Sequence, residues 1–287
     1  MLKTHCHRWA DLASWLFGVG LLLGPGATPA QAESSDRRPT PALSRCAPAS
    51  ALNEALQVLV VTTPSWDAQR GMAQRFERRT PTAPFLPVGR SLPAWLGRSG
   101  LAWRSDAQAA PPSLAGPRKQ EGDGRSPAGI LEIGALWGYA QKAAAGVRLP
   151  YQTADELDRC VDDASSPYYN QLTRQTPDHP PAWTSAESLR LPTDHYKYLI
   201  VMHYNTRTPR PGAGSCIFLH VAPPPGGPTA GCTALAEADL LTILRWLDPA
   251  RHPVILQLPT PALAAARAAW QLPSELGRAS RANQRRD

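Results

Sequence analysis

The sequence predicts a mainly β protein with few helices, built as one compact unit that carries a long insertion. Three observations carry that expectation. Short apolar runs dense in β-branched residues recur along the chain. The 31 prolines are spread through all 287 residues, which favours turns and short strands over long helices. Clear helical periodicity appears only late, after residue 230.

In order, residues 55–63 (Ala-Leu-Gln-Val-Leu-Val-Val-Thr-Thr) read as a strand, closed by Pro64 and Trp66. A helix is expected from about Ala68 to Arg79. Prolines break residues 80–94 into short strands or turns, and residues 106–120 read as a loop. Glu121 to Gly129 is a dense turn, and Ile130 to Tyr139 reads as one or two strands. Residues 150–192 are weakly patterned, as expected of an excursion that lines or covers a surface. Strands are expected at Tyr196–Tyr204, Cys216–Val221 and Val254–Leu258. A helix from about Glu237 to Leu247 aligns Leu240, Leu241, Leu244 and Leu247 on one face. Glu237 and Asp239 in its first turn suit the positive end of the helix dipole. Residues 261–270 are Ala-rich and helical.

The N-terminus has the form of a secretory signal: Lys3 and Arg8, an apolar stretch from Leu12 to Leu23, then the small-x-small site Ala30-Gln31-Ala32. The stretch is short for a membrane span, which needs roughly 20 residues. The expected divisions are a signal peptide over 1–32 cleaved near Ala32, a flexible lead-in over 33–50, a domain over 51–272 and a basic tail over 273–287. Export to the periplasm follows, with membrane contact only transiently through the signal. The full chain carries +7, of which about +6 remains after cleavage. A basic exported protein meets anionic polymers, head groups or cell wall. Nucleic acid is excluded by the compartment and by the lack of zinc-finger spacing or a basic-aromatic stripe.

The chemistry concentrates in Gly214-Ser215-Cys216-Ile217-Phe218-Leu219-His220-Val221, a Pro/Gly loop, and Thr229-Ala230-Gly231-Cys232. A strand ends at His220. The loop from Ala222 to Pro228 reverses the chain and returns Cys232 beside it. A thiol next to an imidazole can pass its proton over and become the nucleophilic thiolate. Gly231 permits close backbone approach. Amides of Gly231, Cys232 and Thr233 are candidates for an oxyanion site. The plain alternative is a satisfied strand-end histidine and a buried thiol, because His and Cys twelve apart is a weak pattern by itself.

These segments resemble the L,D-transpeptidase catalytic-domain family, which pairs a strand-end histidine with Ser/Thr-x-Gly-Cys. The match is His220 with Thr229-Ala230-Gly231-Cys232, and Glu121 to Gly129 resembles the turn before a core strand. The likeness spans roughly Val58 to Leu258. It implies a β-sandwich-like catalytic fold and cysteine acyl transfer on peptidoglycan stem peptides. Cys232 would be nucleophile and His220 base, with Gly231, Thr229 and Thr233 around the substrate. Ala234 stands where Arg is common in the family, and Ala230 where His or Lys is common. Hydrolysis (an L,D-carboxypeptidase or amidase) and a non-catalytic wall-binding module are the alternatives. No cofactor is implied.

Cys216 reads as core packing. With Cys216 and Cys232 so assigned, Cys46 and Cys160 are expected to form one bridge in an oxidising compartment, the alternative being two buried free thiols. His179, His195, His203 and His252 lack ligand spacing, so no metal is expected. His203 and Asn205 read as ordinary strand-end residues, Arg125 as a solvated turn residue, and Trp95, Trp103, Trp137 and Trp183 as packing.

Overall fold

In chain order the elements are α1 (Pro48–Glu54), β1 (Gln57–Thr63), β2 (Arg70–Glu77), β3 (Leu86–Trp95), β4 (Leu101–Trp103), β5 (Ser126–Gly138), β6 (Tyr151–Thr153), β7 (Asp158–Val161), β8 (Leu172–Arg174), β9 (Ala186–Ser188), β10 (Tyr198–His203), β11 (Phe218–Val221), β12 (Thr233–Leu235), α2 (Glu237–Trp246), β13 (Val254–Pro259) and α3 (Leu263–Trp270). This computed structural model describes residues 48–106, 114–176 and 181–277. The expected signal peptide, its cleavage site near Ala32, Cys46, His179 and residues 278–287 of the tail lie outside the described residues. The protein is mainly β with few helices.

The main sheet runs β10-β11-β12-β3-β2-β1-β13-β5, with β4 and β6 added on β5. Strand β5 also pairs with β10, through Leu199 opposite Trp137 and His203 opposite Glu132. The path therefore closes on itself as a barrel, and closure removes the free edges a sheet would otherwise expose. Strand β1 sits between β2 and β13 and is buried along nearly its whole length. That position explains its unbroken apolar run. The expected strands over 130–139 form one strand, β5, with neighbours on both sides.

The expected helix over 68–79 is instead strand β2. The segment lacks a clean period of either kind, and pairing decides its state: Val58 faces Phe76 and Thr62 faces Met72 across the β1 ladder. Gly71 makes the close approach possible, since a Cβ there would lie 2.4 Å from the Thr62 carbonyl oxygen. Strand β3 accommodates Pro87 and Pro93, with a register shift against β2 between Ala73 and Arg75.

The excursion over 150–192 holds β6 and a separate sheet of order β8-β7-β9. Helix α2 buries Leu240, Ile243, Leu244 and the following Leu247, while Leu241 is only partly covered. The core continues past α3 to Leu272 and Leu276. Trp103 is fully buried between Trp66 and Trp270, edge to face with both. One apolar cluster fills the main core. A second, with Trp137, Leu199, Phe218, Cys160, Cys216 and Cys232, lies on the other face of β10 and β11.

Candidate active site

Strands β11 and β12 pair in parallel, with Leu219 opposite Thr233 and His220 opposite Ala234. The expected chain reversal is thus a full return loop rather than a hairpin. Residues 222–232 carry the chain back to the start of the neighbouring strand, as parallel pairing requires. The loop is held against the end of β3 by Arg98 N–H to the Thr229 carbonyl at 2.8 Å and Thr229 N–H to the Leu96 carbonyl at 2.9 Å. Cys232 comes level with Phe218. Its side chain shares a face with Phe218 and His220, and strand spacings put the Cα atoms of Cys232 and His220 ~8 Å apart.

Cys232 is 6% exposed. Its sulfur accepts the Phe218 N–H at 3.3 Å and donates to the Cys216 carbonyl at 3.4 Å. The polar neighbours are therefore backbone groups and the side chains of Tyr196 and Glu187, not hydrocarbon alone. Burial pushes the thiol well above its ordinary range, and the Glu187 carboxylate adds to the shift. The resting form is a neutral thiol. The Cys232 carbonyl is clamped by two hydroxyls, Ser126 at 2.7 Å and Thr229 at 2.6 Å. Ser126 in turn accepts the Gly97 N–H at 2.9 Å.

His220 is buried at 4% exposure. Its Nδ1 lies 2.8 Å from the Val221 carbonyl oxygen. A carbonyl only accepts, so Nδ1 carries the proton and Nε2 keeps its lone pair in the neutral ring. Burial lowers the pKa of His220 to about 4, helped by the neighbouring His195 ring and opposed by hydrogen bonds to the backbone of Val221 and His195. The imidazole is neutral near pH 7. The Tyr196 ring packs edge-on against His220 at 5.2 Å and Phe218 at 5.8 Å, and the His195 ring lies 6.1 Å from His220.

The other expected site residues separate. Thr229 serves the loop itself: its hydroxyl accepts the Gly231 N–H at 3.1 Å and donates to the Cys232 carbonyl. That engagement removes the Gly231 amide from the oxyanion role expected of it. The Thr233 side chain is fully buried on the opposite face and donates to Gln257 at 2.6 Å, so it cannot meet a substrate. Among the described residues, no hydrogen bond engages the Cys232 N–H. Ala234 is buried beside His220 and Ala230 is exposed.

The bridge expected between Cys46 and Cys160 is not formed. Cys160 is bonded to Cys216, with 5.9 Å between their Cα atoms. Cys216, expected as core packing, is both buried and cross-linked. Pairing of Cys160 with Glu187 places β7 and β9 in one sheet, and the disulfide fixes that sheet to the turn that leads into β11. Asn170, on the same excursion, receives the Cys216 N–H at 2.9 Å.

Sequence reasoning missed Tyr196, Glu187 and Ser126. The Tyr196 hydroxyl donates to the Glu187 carboxylate and faces the Cys232 sulfur. Burial raises Glu187 to about 7, with Asp162 adding to the rise. Only Ser126 had a signal, as part of the Glu121–Gly129 turn. In that turn, Glu121 accepts from Tyr169 and Ser215. Arg125, expected to be solvated, binds Asp67 at 2.7 Å and the Leu101 carbonyl at 2.9 Å.

Elsewhere, His203 and Asn205 line a small cavity with Arg104, Asp106, Glu132 and Arg207. Asn205 is structural, accepting the Arg210 N–H at 2.8 Å and donating to the Gly214 carbonyl at 2.9 Å. No group of three or more His, Cys, Asp or Glu side chains suited to a metal occurs among the described residues. No protein family, curated protein or solved structure matches this chain.

Proposed function

We propose that this protein is an exported cysteine acyltransferase of the L,D-transpeptidase type, acting on peptidoglycan stem peptides in the periplasm. The sandwich-like catalytic fold of that family is part of the proposal, with opposite walls of the closed sheet as its layers. The observation that carries the reading is the shared face of Cys232 and His220 at adjacent parallel strands, with the imidazole Nδ1 held by the Val221 carbonyl.

The chemistry runs by general-base activation rather than through a standing ion pair, because burial favours the neutral forms of both groups. The Cys232 proton passes to His220 Nε2 as sulfur attacks the carbonyl between residues three and four of a tetrapeptide stem. The C–N bond breaks, the proton goes to the departing D-alanine amine, and a thioester remains on Cys232. An amine of a second stem then attacks the thioester and restores the thiol. The Cys232 N–H is the amide best placed to receive the developing oxyanion. The burial around the sulfur shields a thioester from water, which favours transfer over hydrolysis.

The test is incubation of the mature protein, and of its Cys232→Ser variant, with tetrapeptide muropeptides, with products read by mass. Cross-linked dimers that depend on Cys232 support transfer. Loss of D-alanine without dimers points to a carboxypeptidase. Unaltered muropeptides that still bind point to a wall-binding module and reject the reading.

A further inference from the structure

Three groups from separate parts of the chain line up beside the sulfur, Tyr196 and Glu187 acting on it and Asp162 on Glu187. Tyr196 lies in the turn before β10 and is 5% exposed. Its hydroxyl donates to the Glu187 carboxylate of β9, and the Cys232 sulfur lies close by in the same cluster. Asp162, at the end of β7, faces Glu187, and one of its carboxylate oxygens is buried without a hydrogen-bond partner. The tyrosine ring is fixed edge-on by Phe218 and His220. It can change which neighbour receives its proton, but not which neighbours it has.

A phenol has one proton to give. We propose that Glu187 and Tyr196 form a proton switch on the nucleophile, Tyr196 being a catalytic residue that touches sulfur and Glu187 a positioning residue that acts through it. When Glu187 is protonated it donates to the phenol oxygen, and the phenol proton turns to sulfur and supports the thiolate. When Glu187 is ionised, the phenol proton turns to the carboxylate. The thiolate then loses its donor and gains a negative neighbour. No atom leaves the cluster in this exchange; only the direction of two hydrogen bonds changes.

The surrounding titratable groups fit this reading. Glu187 faces Tyr196, Asp162 and Cys232. Tyr196 also faces Tyr139 and His220, and Cys232 feels Lys119. Lys119 is held by Asp123 at 2.7 Å, and the Arg159 guanidinium of β7 is turned to the Glu156 carbonyl. The negative charge of Asp162 favours the proton on Glu187, so Glu187 can exchange it near neutral pH. The role in catalysis rests on the acyltransferase reading; the switch on the thiol does not.

The experiment follows alkylation of Cys232 by iodoacetamide as a function of pH, on the disulfide-intact mature protein, reading the Cys232 peptide by mass. Glu187→Gln is expected to move the thiol profile to lower pH and speed labelling about tenfold at pH 7, one pKa unit. Tyr196→Phe is expected to slow labelling and to abolish the gain from Glu187→Gln in the double variant. A bare charge effect would survive loss of the phenol. Asp162→Asn, which leaves the Tyr196–Glu187 contact intact, is expected to slow labelling at pH 7 by easing ionisation of Glu187. It decides the matter if Glu187→Gln does not fold. A Glu187→Gln profile that superimposes on the parent, a gain that persists without the phenol, or an Asp162→Asn variant that labels as fast as the parent overturns the switch. These measurements need no muropeptide, so a protein inert toward muropeptides but showing the shifts would reject the function and keep the switch.

Discussion

The Ser126 hydroxyl donates to the Cys232 carbonyl across 106 residues of sequence, at 2.7 Å. Ser126 opens β5, the longest strand of the barrel wall, and Cys232 closes the return loop before β12. The loop is thus referenced to a long, largely buried strand rather than only to its own short neighbours. This bond, with that from Thr229, fixes the backbone that carries the sulfur and the free amide beside it.

Ser126→Ala should therefore act on stability and on the nucleophile together. It removes one hydroxyl that serves two buried backbone groups, the Cys232 carbonyl and the Gly97 N–H. Leaving the Gly97 donor unsatisfied costs about 1–3 kcal/mol, read as a lowered urea midpoint at constant slope. Thr229→Val should cost less, because Thr229 is only partly buried. An unchanged midpoint for Ser126→Ala would show that water replaces the hydroxyl.

Arg104 and Asp106 form an ion pair at 2.6 Å with both side chains nearly inaccessible. Arg104 also donates to the Ile130 carbonyl, and Asp106 receives the Asn205 N–H at 2.9 Å. The pair joins β4 to the wall and to the loop that leads to β11. Asp106→Ala strands a guanidinium in the interior, an expected loss of about 3–5 kcal/mol. Equilibrium unfolding checks it, and a loss below 1 kcal/mol would mean that Arg104 finds solvent by rearranging.

The contrast between these anchors and the sequence shows what could be read in advance. Strands β1 and β13 read as dense apolar runs, Val58–Val61 and Val254–Leu256, because both lie inside the wall, and α2 shows its buried stripe in its own residues. His220 and Cys232 could be paired because a short loop joins them, although its parallel course could not be seen. Strand β2 is not legible in the sequence, because Arg70 to Glu77 has no decisive period and takes its state from β1. The partner of Cys160, 56 residues away, is not legible either, because it is chosen by how the excursion folds back. Tyr196 and Glu187 sit in stretches with no pattern at all. Their role exists only once the small sheet is laid against β11.

The Cys160–Cys216 bridge ties that sheet to the site. Closing a loop of this length should restrict the unfolded chain by on the order of 4 kcal/mol. The Cys160→Ser and Cys216→Ser double variant should lose stability of this order and should label faster at Cys232, because the cover is no longer tethered. Thermal melts and the labelling rate check the two parts separately. A variant that loses stability yet labels at the parental rate would show that hydrogen bonds such as Asn170 to Cys216 hold the cover alone.

The pH dependence of stability should show two opposing groups. His220 has a folded pKa of about 4 against an ordinary 6.5. Between those values the unfolded chain binds a proton that the folded protein refuses, so stability falls as pH drops from 6.5 to 4. Glu187 has a folded pKa of about 7 against an ordinary 4.5. There the folded protein holds the proton and the unfolded chain does not, so stability falls as pH rises from 4.5 to 7. Each effect reaches on the order of 3 kcal/mol across its window, and in the parent they offset each other between pH 4.5 and 6.5. Glu187→Gln should unmask the histidine, giving stability that climbs steadily from pH 4 to 6.5 and then levels. His220→Gln should unmask the carboxylate, giving stability that declines from pH 4.5 to 7. Urea midpoints at four pH values across this range distinguish the slopes, and parallel curves for parent and both variants would show that neither group keeps its shift in solution.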